Sequence, residues 1–442
     1  MTRFIKTTVF CSFFIMFTCK AMPPTDYLTL QGFDVAHAKG YTGKGQVIAV
    51  ISDVPDVEHP AFVGPFSNNQ IQRFDVTSFP EPIVGEDKSD FRYPAMLFDA
   101  QNYRRSTLES RDDKYFYNHG NHVVGLINGQ AKTDPEQAFL GGAAPGALVH
   151  AYETSGPKST LMPQRGGHAI FTLYEMVEKY RDYKKKEILQ YMGERSSLFQ
   201  QHPFNGSLLR ALQVISETQS SPVAINCSFV MLDIMDPSNA DKVPDHILNQ
   251  IGDSLEKADT VLVISANNDN GVDLSGPAPV RNPFDGWAPH PNYYIRQFAD
   301  HPKIGPRLLI AVNAQPDQKL FGHESLNHPT TLASGKEISL FHSSNIPGDS
   351  LWSFAVSAYG ARNLSAWAGG GRADAFSIES GTSEAAPQIA SLCALLKEKY
   401  PHMTASNIVE RIKTSATAVP AAMRPIYGWG VMHAGRALEL VP

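Results

Sequence analysis

The chain has 442 residues, 42% of them hydrophobic and 19% charged, with a formal net charge of -6 at pH 7. That apolar share is enough for a large core and excludes an intrinsically disordered chain. The mild acidity gives no footing for nucleic acid or an anionic membrane as partner.

The N-terminus reads as an export signal. Arg3 and Lys6 precede a short apolar run from Val9 to Phe17, and Cys19-Lys20-Ala21 offers small residues where a signal peptidase cuts. The run is too short to span a bilayer comfortably. Residues 1–21 are therefore expected to be removed, leaving an exported chain, 22–442, with no membrane attachment. Cleavage would also remove Cys11 and Cys19. Cys227 and Cys393 then remain, and they read as two buried free thiols.

Strand and helix patterns alternate along the rest, which predicts an α/β fold with a mostly parallel central sheet flanked by helices. Gln46–Ile51, Ala147–Tyr152, Val223–Ser228, Thr260–Ala266 and Arg307–Val312 are Val/Ile-rich runs with no polar alternation, as expected of buried parallel strands. Ile170, Tyr174, Val177 and Tyr180 mark one amphipathic helix, leading into the solvated Lys184-Lys185-Lys186. Leu208, Leu209, Leu212 and Ile215 mark another. A helix from about Ser383 to Lys399 starts Ala-rich and apolar on nearly all sides, so its first part should be buried. Gly271–Pro306 and Pro316–Ser350 are rich in Pro, Asn and Gly and read as long loops.

Three segments carry chemistry. In Gly381-Thr382-Ser383-Glu384-Ala385-Ala386-Pro387 a serine sits where a glycine turn meets a buried helix, and helix N–H groups there favour developing negative charge. The bland alternative is a serine N-cap. In Asn118-His119-Gly120-Asn121-His122 a histidine could act as general base. His119 and His122 could instead be a metal pair, but no third ligand accompanies them at a typical spacing. In Ser265-Ala266-Asn267-Asn268-Asp269 an amide just past a buried strand could donate to an oxyanion, or simply build a turn.

Together and in this order, the segments resemble the subtilisin-like serine peptidases (the subtilases, peptidase family S8). Gly381-Thr382-Ser383 with Ala385-Ala386-Pro387 is similar to the family's nucleophile signature. His119-Gly120-Asn121-His122-Val123 is similar to its histidine signature. Gly43-Lys44-Gly45 through Ile51, then His59-Pro60, resembles its first strand and aspartate loop. Gly142-Ala143-Ala144-Pro145 and Tyr427-Gly428-Trp429-Gly430-Val431 resemble its turn and closing segment. The resemblance implies a single peptidase domain over 22–442, with insertions near 156–204, 271–306 and 316–350. It implies hydrolysis of protein or peptide substrates through an acyl-enzyme, with Ser383 as nucleophile, His119 as base and Asn268 at the oxyanion.

The sequence departs from the family in places. Counting from Gly45, the catalytic aspartate position falls on Ser52; Asp53 is the expected replacement, through a strand-end bulge, with Asp56 a third candidate. Ser228, Phe229, Val230 and Met231 stand where the family has Ser-Leu-Gly-Gly, and Asn267 stands at a family glycine. The expected substrate-binding residues are Ser228, Phe229, Val230 and Asn267, around a narrowed first pocket. No residue set matches the calcium loops common among subtilisin-like enzymes, so no metal or cofactor is assigned. No motif bears on oligomeric state. Two other readings follow from the same residues: a catalytically inactive relative that binds peptides or proteins, and an amidase or esterase using the same site. His59 reads as part of a structural turn, and His122 as packing beside the nucleophile helix.

Overall fold

In the computed structural model the described residues are 24–52, 59–65, 71–75, 118–132, 139–153, 207–228, 243–268, 271–276, 292–316, 328–367 and 375–441. The expected signal peptide, the Ile170–Tyr180 helix and the extra segment 156–204 lie outside them.

The Val/Ile-rich runs form the middle of one sheet. Its strands are β1 (Val47–Ser52), β2 (Ile71–Asp75), β3 (Leu148–Glu153), β4 (Ala224–Cys227), β5 (Val261–Ser265), β6 (Leu308–Pro316), β7 (Thr330–Thr331), β8 (Glu337–Leu340) and β9 (Ala355–Tyr359). The order is β2-β3-β1-β4-β5-β6, all parallel, with β9 also parallel on β6. The short β7–β8 hairpin joins the far end of β6 antiparallel. β4 and β5 are buried at every position, which is why they read as unbroken apolar runs: helices cover both faces of a parallel sheet. A two-stranded ribbon, β10 (Asn363–Trp367) and β11 (Ala375–Glu379), lies outside the main sheet.

The described helices of eight or more residues are α1 (Asn118–Asn128), α2 (Ser207–Glu217), α3 (Asp245–Ala258), α4 (Asn292–Asp300), α5 (Thr382–Lys399) and α6 (Ala405–Ser415). α5 is the central one. Thr382 and every residue from Glu384 to Leu396 are buried, and it lies across β4, β5 and β6. Its alanines let it approach the sheet closely, and their helix propensity favours the helix before any tertiary contact forms. The Gly142–Pro145 turn packs on the end of α1, where the Ala143 and Ala144 N–H groups donate to Leu126 and Ile127. The closing segment lies against β9, with the Trp429 N–H on the Ala355 carbonyl.

Two expected loops contain regular structure. Within Gly271–Pro306 runs α4, whose Tyr294, Ile295, Phe298 and Ala299 are buried. That i, i+1, i+4, i+5 spacing is a helical signal, masked in the sequence by flanking prolines and asparagines. Within Pro316–Ser350 lies the β7–β8 hairpin. α3 and α6 also went unanticipated, although Leu248, Ile251 and Leu255, and Ile408, Val409 and Ile412, are buried at helical spacing. Among the described residues no helix is long and apolar enough to cross a membrane.

Candidate active site

The candidate residues gather at the carboxyl ends of the central strands, where open parallel sheets hold their ligand crevice. β1 ends on Ser52, β4 leads into Ser228, and β5 leads through Ala266 to Asn267 and Asn268. The two long helices that matter begin at the same end. His119 is the second residue of α1 and Ser383 the second of α5, and both are half-buried.

Asn268 fixes the start of α5. Its Oδ1 accepts from the Thr382 N–H (3.0 Å) and from the Thr382 hydroxyl (3.3 Å). With the oxygen so engaged, the amide nitrogen is the free end of an exposed side chain. Nδ2 lies 3.2 Å from where a Cβ on Gly381 would stand. The first N–H groups of α5 have no acceptor within their own helix. A side-chain amide beside such N–H groups is the donor set that a developing oxyanion needs.

Ser383 is held from behind. Pro387, inside α5, has no N–H to give the carbonyl four residues earlier, which is that of Ser383. The Ser228 hydroxyl supplies the missing donor at 3.0 Å. It accepts in turn from Asn226 Nδ2 at 3.0 Å. Ser228 is buried, and its hydroxyl faces the Ser383 backbone.

Asn267 occupies the left-handed region, with φ +73°. That conformation suits the glycine it replaces, and asparagine tolerates it better than other side chains. Its carbonyl accepts from the Asn345 N–H at 3.0 Å.

α1 meets α5 through a buried pair. His122 Nδ1 is 3.5 Å from Glu384 Oε1, with both side chains almost fully buried. His122 Nε2 faces the carbonyls of Asn363 (3.0 Å) and Ser377 (3.3 Å). His119 stands three residues before His122, on the same helical face, and Ser383 immediately precedes Glu384. The contact therefore sets the first turns carrying His119 and Ser383 against each other. Gly125 permits α1 to seat this closely, since a Cβ there would lie 2.3 Å from Ser365 Oγ. His59 caps a short helical turn, its Nδ1 accepting from the Ala61 N–H at 3.0 Å, in keeping with a structural role.

His122 turns Nε2 to the two carbonyls and Nδ1 to Glu384, and among the described residues there is no group of three or more His, Cys, Asp or Glu side chains placed to hold a metal. Cys227 and Cys393 are buried and outside any disulfide, and burial pushes the Cys393 thiol far above its ordinary range, which leaves it unreactive. Asp53, Asp56, Phe229, Val230 and Met231 lie outside the described residues. Ser52 is buried at the end of β1. The sequence reading passed over the Ser228 bond to Ser383 and the Glu384 partner of His122. Pro387 four residues after Ser383 was the available signal for the first, and an acidic residue in a buried helix for the second.

The profile of the subtilase family, Peptidase_S8, matches residues 43–430. A thermostable alkaline protease of Halalkalibacterium halodurans is 43% identical over 60 residues, 14% of this chain and 16% of that protein. Mycosin-4 of Mycobacterium tuberculosis is 38% identical over 60 residues, covering 14% of this chain and 13% of that protein. The matched stretch thus spans less than a fifth of either relative. Among solved structures, the PatG macrocyclase domain superposes with a TM-score of 0.52 at 15% identity, covering 95% of this chain and 98% of that one. The patellamide maturation protease PatG gives 0.51 at 16%, covering 95% and 98%. At such identity the likeness is one of fold.

Proposed function

This chain belongs to the subtilase family, and on that premise we propose that it is an exported serine endopeptidase cutting proteins or peptides through an acyl-enzyme. The observation that carries the reading is the mounting of Ser383. It stands in the first turn of a buried helix, its carbonyl held by Ser228 and the preceding residue held by Asn268. This is a rigid, N–H-rich setting for a nucleophile rather than a plain helix cap, in which the serine side chain itself would take the cap position.

In this reading Ser383 Oγ attacks the scissile carbonyl while His119 takes its proton. The carbonyl oxygen becomes an oxyanion stabilised by Asn268 Nδ2 together with a backbone N–H. As the tetrahedral intermediate collapses, the C–N bond breaks and His119 returns the proton to the leaving amine. Water then repeats the sequence on the ester. Asp53, directly after β1, is assigned to orient the imidazole. Val230, Met231 and Asn267, where the family carries glycines, narrow the first pocket toward small side chains. Export rests on the charged start, apolar run and Ala21 cleavage position.

The test is to incubate residues 22–442 with an unfolded protein and a peptide library, and to read new termini by mass spectrometry. The reading expects cleavage after small residues, and none with Ser383→Ala. Absence of any product from the folded wild type would overturn the peptidase assignment. Equal cutting after large aromatic and small residues would overturn the narrow pocket.

A further inference from the structure

The amide assigned to the oxyanion stands just past a strand end, and a donor there is placed only as well as its backbone is held. Two hydrogen bonds frame the approach to it. The Ala266 N–H donates to the Ala311 carbonyl of β6, and the next carbonyl, that of Asn267, accepts from the Asn345 N–H at 3.0 Å. That carbonyl belongs to the planar peptide that enters Asn268, so the bond sets the plane from which the Asn268 side chain departs. Beyond Asn268, the Val272 N–H donates to Asn345 Oδ1 at 3.2 Å. The Val272 carbonyl accepts from the Ile346 N–H at 2.9 Å, and the Leu274 N–H donates to the Ile346 carbonyl at 2.8 Å. Asn345 therefore holds the chain on both sides of Asn268, with its backbone before it and its side chain after it.

Asn345 is itself anchored. It is fully buried, as is Ser344. The Ser344 hydroxyl donates to the Asn345 carbonyl and accepts from the Asn313 N–H of β6, each at 3.1 Å. The Phe341 N–H donates to the Asn313 carbonyl at 3.0 Å, and the Ser344 N–H closes a turn on the Phe341 carbonyl at 2.9 Å. β6 is paired on both sides, by β5 and β9. It is thus the fixed end of a series of bonds that runs through Ser344 and Asn345 to Asn267. The backbone part of this hold asks only for a residue with an N–H at 345. The asparagine side chain adds an acceptor for the Val272 N–H, which a residue without one leaves unmet inside the protein.

We propose that Asn345, anchored to β6 through Ser344, is a positioning residue for the reaction at Ser383: its double hold on the chain around Asn268 fixes the Asn268 amide at the oxyanion. Thr382 engages the Asn268 oxygen and Asn345 engages the peptide before it, so Nδ2 is left one direction to face. Without the Val272 bond the segment pivots about Asn267, and Nδ2 leaves the spot where charge develops. An oxyanion donor works only when it is aimed there in advance. The oxyanion forms in the transition state and not in the bound substrate, so the loss falls on kcat rather than KM. The catalytic consequence rests on the peptidase reading; the placement of the Asn268 amide by Asn345 does not.

The experiment has two arms, both on residues 22–442. In the first, NMR of protein labelled at asparagine nitrogen follows the Asn268 side-chain amide, identified by its loss in Asn268→Ala. In Asn345→Ala that signal should shift or broaden. An Asn268 signal superimposable on wild type would overturn the proposal whether or not the protein cuts peptides. In the second arm, kcat and KM are measured for Asn345→Ala, Asn268→Ala and the double variant on a peptide that the wild type cuts. Asn345→Ala should lower kcat about tenfold and leave KM within about twofold, since a misplaced donor costs less than an absent one. On the Asn268→Ala background the same substitution should change kcat by less than about twofold, because no amide remains to be placed. A tenfold loss on both backgrounds would overturn the proposal, as would a change confined to KM. Should Asn345→Ala fail to fold, Ser344→Ala takes its place in both arms, with the same expected and overturning results. A wild type that cuts no peptide counts against the peptidase reading alone, and the first arm then decides whether Asn345 places the Asn268 amide.

Discussion

The hydroxyl of Ser228 donates to the carbonyl of Ser383 across 3.0 Å, replacing the helical hydrogen bond that Pro387 cannot make. The Ser383 backbone is thereby tied to the end of β4, and the helix keeps a proline in its second turn without an orphaned carbonyl. Removing the donor alone leaves a buried acceptor unpaired, at a cost of about 1–3 kcal/mol. Ser228→Ala should therefore lower the denaturant midpoint and slow acylation. Pro387→Ala restores an N–H at the right place in the helix, so the double variant should regain most of the lost stability. A double variant as unstable as the sum of the two singles would show that the bond is not what Ser228 contributes.

Asn268 does two separable things. Its oxygen holds Thr382, and its nitrogen is assigned to the oxyanion. Asn268→Asp keeps the first and loses the second, so kcat should fall by about 10²–10³ with little change in melting temperature. Asn268→Ala loses both and should also cost about 1 kcal/mol of stability, as helix-cap removals do. Parallel kinetics and thermal melts of the two variants check this.

Asn267 sits at φ +73°. Glycine there removes the backbone strain, whereas a β-branched residue adds about 1–2 kcal/mol. Asn267→Gly should be close to wild type in stability and should accept larger side chains in the first pocket. Asn267→Val should be destabilised, as read from denaturant melts, and a fully stable Asn267→Val would contradict the conformation.

Acid should weaken the fold through three histidines. Burial pushes the imidazoles of His37, His150 and His433 below their ordinary 6.5, and His433 is further lowered by Arg436 and Lys336. With folded values below unfolded ones, the unfolded chain binds more protons as pH drops through 6.5. Stability is then fully present above that pH and falls below it, until the folded groups titrate in turn. Melting temperatures measured between pH 7.5 and pH 5 should decline, and His150→Gln should decline less steeply. Equal slopes would remove His150 from the account.

What was legible in the sequence was what repeats a simple physical rule. Val47–Ser52 and Val261–Ser265 announce themselves because a parallel strand buried on both faces has no polar alternation. Thr382–Lys399 does so through its alanines, and Asn267 through standing at a glycine position it conformationally imitates. The α4 helix stayed hidden because Pro and Asn around it outweighed four apolar residues at helical spacing. Ser228 read as a groove residue because its partner lies 155 positions away, a relationship no local pattern encodes. Glu384 was passed over for the same reason: its partner His122 belongs to a different helix, and only their packing makes either one notable.

The central claim is that Ser383 is an activated nucleophile. The most direct measurement is fluorophosphonate labelling of folded residues 22–442 beside Ser383→Ala, with the modified peptide located by mass spectrometry. The account predicts one label, on Ser383, absent from the variant. A folded wild type that takes no label, or a variant labelled as well as wild type, would contradict it.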